Sequence, residues 1–219
     1  MRQLRNTRGF TLVELMFSMS FISVLLIIVL MTTLQVTRIY NKGITLKQVN
    51  QSGASIGGEL QSALKASNAP IDTSTVLNGG GTGGRLCLGN YSYVWNLQGA
   101  TTNQYNGSSN KIGLVKVSDP SSAMCSGTRN VPFNQASELI LGTQDNTDGV
   151  HLELRDLTVT KVANSGINYI YHVTYTVSTS DHRLINADTC LGGTSDEYCA
   201  LNKFSFDVFA RQGGNGVVQ

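Results

Sequence analysis

Apolar residues dominate the start of the chain and form an almost unbroken run from Phe10 to Leu34. At 1.5 Å per residue, these 25 positions form a helix of about 37 Å. A helix of that length crosses a hydrocarbon core of about 30 Å with some tilt. The pattern therefore predicts a membrane-spanning helix over residues 10–34.

A weaker apolar stripe follows this run. Its members recur at mixed three- and four-residue steps, with gaps: Val36, Ile39, Tyr40, Leu46, Val49, Ile56, Leu60 and Leu64. The spacing predicts an amphipathic continuation of the helix over residues 35–69, and Pro70 ends it because the residue before a proline disfavours the α region. Glycines interrupt the stripe, and each weakens a helix by about 1 kcal/mol relative to alanine. At the pair Gly57 and Gly58, the sequence does not decide whether the helix breaks.

Alternation of apolar and polar residues replaces the helical spacing in the rest of the chain. The alternating segments lie around residues 86–97, 112–117, 139–141, 150–155, 167–179 and 204–209. They predict five or six strands, with a slip at Gly89–Asn90 and a hairpin loop at residues 163–166. No helical pattern separates the strands, so the sheet is expected to be largely antiparallel. The predicted fold class is α+β, with the long N-terminal helix packed on a sheet domain formed by residues 70–219.

Composition and charge narrow the function classes. The 219 residues suffice for one domain of ordinary size plus a membrane segment. The net charge is +2 and 14% of the residues are charged, without a dominant basic patch. Nucleic-acid binding is therefore not expected from the composition.

A short basic leader precedes the apolar run and contains Arg2, Arg5 and Arg8. Residues 9–15 then read Gly-Phe-Thr-Leu-Val-Glu-Leu. This arrangement resembles the class III signal of type IV pilins and pseudopilins, and the resemblance covers about the first 35 residues. It implies that a prepilin peptidase cleaves between Gly9 and Phe10, removes the leader of residues 1–9 and exposes Phe10 for methylation. The α+β fold predicted above is also the fold of that family.

Glu14 is the one charged residue between Arg8 and Arg38. A carboxylate within a membrane segment costs about 2.5–3.5 kcal/mol on insertion scales, so it needs a partner in the assembled state. The resemblance implies that Glu14 docks the subunit into a filament, where it would pair with the new amine on Phe10 of a neighbouring subunit. The alternative is a carboxyl group that snorkels or is protonated in a lone helix.

Two other interpretations of the apolar run remain. An ordinary secretory signal would have a shorter apolar core and a small-residue cleavage site at its far end, and residues 31–35 lack such a site. A plain signal anchor would also show a basic flank and an apolar span.

The cysteines indicate the compartment. All of them lie beyond the span, at Cys87, Cys125, Cys190 and Cys199. An even number predicts two disulfides in an oxidising compartment and places residues 36–219 outside the cytoplasm. Three connectivities are possible. The short loop between Cys190 and Cys199 favours that pair, which leaves Cys87 with Cys125. The spacings are not those of a zinc site.

No motif in the sequence argues for catalysis or for a cofactor. The glycine-rich stretch at residues 78–84 lacks the Lys-Ser/Thr of a phosphate loop, and no Gly-x-Ser-x-Gly sequence is present. The histidines His151, His172 and His182 are expected to be solvated. Residues 145–149 (Asp-Asn-Thr-Asp-Gly) fit a turn, with calcium binding as the alternative. No cofactor and no metal are therefore expected.

The resemblance implies a structural subunit, a minor pilin or pseudopilin, of a type IV pilus-like filament that supports adhesion, twitching motility, DNA uptake or secretion. The implied partners are other pilin subunits, the prepilin peptidase, and indirectly an assembly ATPase and its inner-membrane platform. The implied location is the cytoplasmic membrane, with the C-terminal domain outside, and then an extracellular filament. The alternatives are a membrane-anchored binding or adhesive domain that does not polymerise and an anchored extracytoplasmic enzyme.

Overall fold

Residues 12–66 form one α-helix, α1 (Leu12–Ala66). The computed structural model describes residues 10–67, 82–125, 130–141, 151–165, 168–180, 185–186, 189–191 and 198–211. Its fold divides into two units between Asn41 and Lys42. The helix is continuous through Gly57 and Gly58, so the break that the sequence left open is absent. The predicted helix end at residue 69 lies outside the described residues.

The described part of the N-terminal unit is an exposed apolar helix. Every residue from Phe10 to Tyr40 is exposed. Within the described part of the chain, α1 is the one helix long and apolar enough to cross a membrane; its most apolar 18-residue window has a mean hydropathy of 2.5 and no buried residue. The first part of α1 therefore has the surface of a segment that lies in lipid or against other helices.

Eleven strands follow α1 in the described residues. They are β1 (Gly83–Leu88), β2 (Tyr91–Asn96), β3 (Gln104–Asn106), β4 (Ile112–Ser118), β5 (Asn130–Pro132), β6 (Ala136–Leu141), β7 (Leu152–Ser165), β8 (Asn168–Thr179), β9 (Ile185–Asn186), β10 (Thr189–Cys190) and β11 (Leu201–Arg211). A four-stranded sheet has the order β1-β2-β4-β6 and a three-stranded sheet the order β11-β8-β7. Every pairing is antiparallel except that of β3 with β5. The predicted α+β fold is confirmed.

The strand count and two boundaries differ from the prediction. The predicted slip at Gly89–Asn90 is a tight hairpin turn between β1 and β2, in which Gly89 has a φ of 72°. A two-residue turn shifts the apolar positions of β2 only slightly relative to the alternation in β1. The sequence pattern therefore resembled one interrupted strand. Strand β7 continues to Ser165, so the hairpin loop expected from residue 163 begins later.

The second part of α1 buries one face. Its buried residues recur at three- and four-residue steps, at Thr45, Val49, Gly53, Ile56, Leu60 and Leu64. The apolar members join a core cluster with residues of both larger sheets, including Tyr93, Leu114 and Tyr171. A second cluster contains Val94, Val115 and Val131. Because neighbouring residues of β2 belong to different clusters, the four-stranded sheet is covered on both faces, which explains its nearly continuous burial.

Two glycines of α1 allow the helix to approach β8 and β11 closely. A Cβ added at Gly57 would lie 2.5 Å from the Tyr175 hydroxyl oxygen, and one added at Gly53 would enter the ring of Phe204. The Tyr175 hydroxyl donates a hydrogen bond of 2.7 Å to the Gly53 carbonyl, and the Tyr175 and Phe204 rings stack with centroids 5.2 Å apart. Burial raises the pKa of Tyr175 to about 12, so this donor keeps its proton at neutral pH.

Glu59 connects α1 to the four-stranded sheet. Its Oε1 accepts hydrogen bonds of 2.7 Å from Lys116 Nζ and 2.8 Å from the Tyr93 hydroxyl. The hydrogen bond from Lys116, followed by that from Tyr93, holds the pKa of Glu59 below its ordinary value. The helix is thus joined to both larger sheets by polar contacts as well as by the core.

The turn after β4 is organised by the buried carboxylate of Asp119. Its Oδ1 accepts a hydrogen bond of 2.8 Å from the Ala123 amide, and its Oδ2 accepts one of 2.9 Å from the Met124 amide and one of 2.7 Å from the Ser92 hydroxyl. Burial by itself would raise the pKa of Asp119, but these hydrogen bonds outweigh it and lower the pKa. The turn leads directly to Cys125.

The structure contains the disulfides Cys87–Cys125 and Cys190–Cys199, with Cα atoms 6.3 and 5.9 Å apart. This is the connectivity that the sequence favoured among three. Ser92 Oγ lies 3.1 Å from Cys87 Sγ, which links the first bond to the Asp119 turn. Each bond is expected to add about 2–4 kcal/mol to the free energy of unfolding.

We predict that Gly57→Ala destabilises the chain and that Gly58→Ala stabilises it. The added methyl at position 57 displaces the buried Tyr175 hydroxyl, at a cost of about 1–3 kcal/mol that exceeds the gain in helix propensity. Gly58 is exposed with no atom near its added Cβ, so alanine there gains about 1 kcal/mol. Urea unfolding of the full chain in detergent micelles, followed by the fluorescence of Trp95, measures the free energy of unfolding of each variant. Equal effects at the two positions would refute the close-approach role.

We predict that Asp119→Asn lowers the free energy of unfolding at pH 7 by about 1–3 kcal/mol, because the amide cannot accept all three hydrogen bonds. Since the folded pKa is depressed, the stabilisation is present above the ordinary aspartate pKa of about 3.9 and is lost as pH falls through the lower folded value. The difference in the free energy of unfolding between wild type and Asp119→Asn should therefore disappear at low pH. Unfolding curves between pH 7 and pH 2 test this.

The control for this prediction is Asp156→Asn. Asp156 lies half-buried on β7 and makes no hydrogen bond among the described residues. Its substitution should change stability little at any pH. A stability difference between wild type and Asp119→Asn that does not change with pH would contradict the depressed pKa of Asp119.

Candidate functional site

The first turn of α1 is closed by reciprocal hydrogen bonds between Thr11 and Glu14. The Thr11 amide donates to Glu14 Oε2 over 3.1 Å, and the Glu14 amide donates to Thr11 Oγ1 over 3.3 Å. The Thr11 hydroxyl also donates to Glu14 Oε2 over 3.0 Å. This is a capping box, which satisfies two amides that a helix start leaves without partners. The negative charge also interacts favourably with the helix dipole.

The sequence contained the signal for this motif, which is Thr or Ser followed three residues later by Glu. The predicted partner of Glu14 was an ammonium group of another subunit, and the partner within the chain, Thr11, was not predicted. The structure therefore gives Glu14 a role within a single chain, as part of the helix start.

The capping box holds the Glu14 carboxylate beside the predicted mature N-terminus. Its Oε2 binds the amide of Thr11, the residue directly after Phe10. Cleavage between Gly9 and Phe10 would place a new ammonium group on Phe10. Gly9 itself lies outside the described residues, and the Phe10 side chain is 81% exposed. One carboxylate thus has two prospective partners, the start of its own helix and an ammonium group.

Five hydroxyl groups in the first part of α1 are satisfied within the helix. Ser18 donates to the Leu15 carbonyl over 2.9 Å, and Ser23 donates to the Met19 carbonyl over 2.8 Å. Thr32, Thr33 and Thr37 bond to preceding carbonyls in the same way. These side chains therefore need no partner from lipid or from another subunit. Glu14 is the one formal charge in the segment that they occupy.

The remaining candidate residues are not gathered into one site. His172 Nδ1 lies 2.6 Å from Asp207 Oδ1 on an exposed sheet face, and His182 and residues 145–149 lie outside the described residues. Among the described residues, no three His, Cys, Asp or Glu side chains form a group that could hold a metal ion. The calcium alternative at residues 145–149 therefore stays a hypothesis.

Comparison with known families supports the N-terminal motif predicted from the sequence. Residues 4–30 match the family model described as the prokaryotic N-terminal methylation motif. This is the class III signal of type IV pilins, and it ends in the same apolar segment that forms the first part of α1. No curated protein and no solved structure is significantly similar to the chain. The signal supports a type IV pilin-like precursor, and the α+β fold is consistent with one.

Proposed function

We propose that the chain is a structural subunit, a minor pilin or pseudopilin, of a type IV pilus-like filament. The observation that carries this proposal is the methylation motif at residues 4–30, joined without interruption to an exposed apolar helix with a single carboxylate in its first turn. The activity is assembly, and the proposal includes no catalytic step.

Processing creates the charge that assembly requires. A prepilin peptidase cuts between Gly9 and Phe10, and the new ammonium on Phe10 enters an apolar environment together with the Glu14 carboxylate. Each ion alone carries a desolvation penalty of several kcal/mol. Pairing between neighbouring subunits offsets both penalties, and it also fixes the axial register of the helices because the two groups lie at defined positions.

The capping box provides an intermediate state for the same carboxylate. In the precursor, Glu14 accepts hydrogen bonds from Thr11 and needs no second subunit. A carboxylate with several acceptor sites can keep the Thr11 amide while it receives an ammonium group. Docking then adds a charge-assisted contact without first breaking the helix start.

The proposed location follows from the two units. The apolar helix of residues 10–34 anchors the subunit in the cytoplasmic membrane, and the disulfide-bonded domain faces the oxidising side. The filament is then extracellular, and its partners are other subunits, the prepilin peptidase and, indirectly, an assembly ATPase and membrane platform. The filament would serve adhesion, twitching motility, DNA uptake or secretion.

One observation favours a second candidate, a membrane-anchored binding domain that does not polymerise. Because Glu14 already has a partner in Thr11, its presence is explained without a filament. In that case the carboxylate serves as a helix cap, and its negative charge is not required.

We predict that protein isolated from its native membrane begins at Phe10 and carries an N-terminal methyl group. The basic leader joined to the matched motif gives this expectation. Intact-mass and N-terminal analysis test it, with protein from cells that lack prepilin peptidase as the control. A chain that still begins at Met1 in peptidase-positive cells would refute the proposal.

We predict that Glu14→Ala and Glu14→Gln both reduce incorporation into filaments at least tenfold. Gln can retain the capping box, since Glu and Gln both serve at that position, but it lacks the charge that pairs with Phe10. An unpaired buried ammonium costs several kcal/mol per subunit, and about 1.4 kcal/mol already corresponds to a factor of ten. The ratio of tagged subunit in sheared filaments to subunit in membranes measures the effect.

Processing and membrane insertion of both Glu14 variants should be measured in parallel, so that a loss of assembly is not a loss of precursor. If Glu14→Gln assembles as well as wild type while Glu14→Ala does not, Glu14 acts as a cap and not as an ion-pair partner. If both assemble normally, the anchored domain becomes the better explanation.

A further inference from the structure

A cavity of about 230 Å³ lies in the 42–219 unit, beside β3 and the turn that precedes β4, and all of its described lining residues are polar or charged types. Hydroxyl, amide and ammonium side chains line it, among them Thr101, Asn103, Gln104, Ser109, Asn110 and Lys111. The cavity is smaller than the roughly 300–1,000 Å³ of sites for drug-sized ligands. It therefore suits a compact polar molecule of about one ring.

The floor of the cavity is built by two buried asparagines that fix each other. Asn96 Nδ2 donates to the carbonyls of Asn103 and Ile112 over 2.9 and 3.1 Å, and the Asn103 amide donates to Asn96 Oδ1 over 2.9 Å. Asn103 Nδ2 also donates to the Trp95 carbonyl over 2.8 Å. Because these bonds form within the chain, the floor keeps its shape without a ligand, and binding needs little reorganisation.

Two cationic groups give the cavity a positive potential. Behind the floor, the buried Arg85 donates from Nε and Nη2 to Asn103 Oδ1 over 3.0 and 2.8 Å. On the wall, Lys111 is half-buried and forms no ion pair with any described residue. No carboxylate is found among the described residues that line the cavity. A ligand with one negative charge is therefore favoured over a cation.

The neutral lining groups supply both donors and acceptors. The side chains of Thr101, Ser109 and Asn110 make no hydrogen bond to other described residues, so they are available to a ligand. Hydroxyl and carboxamide groups can donate and accept at the same time. Sugar hydroxyls have the same dual character, which a simple carboxylate lacks.

We propose that this cavity binds a monosaccharide that carries one carboxylate, such as a uronic acid. Lys111 pairs with the carboxylate, and Thr101, Ser109 and Asn110 bind the ring hydroxyls. The site lies wholly in the 42–219 unit, so the proposal goes beyond filament assembly and stands whether or not the chain polymerises. It gives the globular unit a ligand class, acidic sugars, that the N-terminal motif does not imply.

Titration of the full chain in detergent micelles with sodium D-glucuronate tests the proposal by calorimetry and by amide chemical shifts. D-glucose and sodium acetate are the comparison ligands, because each retains one half of the proposed recognition. We expect saturable binding of glucuronate, with shifts concentrated at residues 101–111 and a Kd at least tenfold lower than for either comparison ligand. Lys111→Ala should weaken glucuronate binding at least tenfold and leave the weak binding of glucose unchanged.

Lys203→Ala is the matched control, because Lys203 is an exposed lysine on β11 outside the cavity. The Lys203→Ala variant should bind glucuronate with the same Kd as wild type. Lys111 pairs with Gln104 of β3 through a backbone bridge. The alanine variant therefore retains that pairing. Equal Kd values for glucuronate and acetate, no saturable binding, or equal losses for the two lysine variants would each overturn the proposal.

Discussion

The close approach of residues 42–66 to Tyr175 and Phe204 is the contact on which the rest of the 42–219 unit depends. It joins residues of the helix and of both larger sheets in one core cluster. Gly53 and Gly57 make room for the aromatic rings, and the Tyr175 hydroxyl uses the space to bind the Gly53 carbonyl. The loss of helix propensity at these glycines is therefore offset by packing and by a buried hydrogen bond.

A second constraint is the presence of a single carboxylate in an apolar segment. Every other polar side chain described above for that segment is satisfied by its own helix. Glu14 is also satisfied locally, but only in part, because a carboxylate has more acceptor sites than Thr11 supplies. The residual capacity and the charge are what a neighbouring ammonium group would use.

Five buried polar residues of the sheet domain form one connected network, namely Arg85, Ser92, Asn96, Asn103 and Asp119. Arg85 binds Asn103 on one side and the Met124 carbonyl on the other, over 2.7 Å, while Asp119 binds the Met124 amide. The cavity floor, the turn before Cys125 and the Cys87–Cys125 disulfide are therefore held by the same set of bonds. Such a network is rigid when all of its members are satisfied, which is what a preformed binding cavity requires.

The sequence by itself determined the features that depend on short-range pattern. The apolar run, the second half of the α1 stripe from Val49 to Leu64, the α+β order of elements and the N-terminal motif are all local. The structure agrees with the first three, and the family comparison with the motif, whereas Val36, Ile39, Tyr40 and Leu46 of the predicted stripe are exposed. The Thr11–Glu14 box is equally local, because its signal is a threonine followed three residues later by a glutamate, although it was not predicted. Only the tertiary structure decided why Gly53 and Gly57 stand in a helix, where β1 turns into β2, and which polar residues meet. Arg85 and Met124 are 39 positions apart, and no local periodicity encodes a contact between residues so distant in the chain.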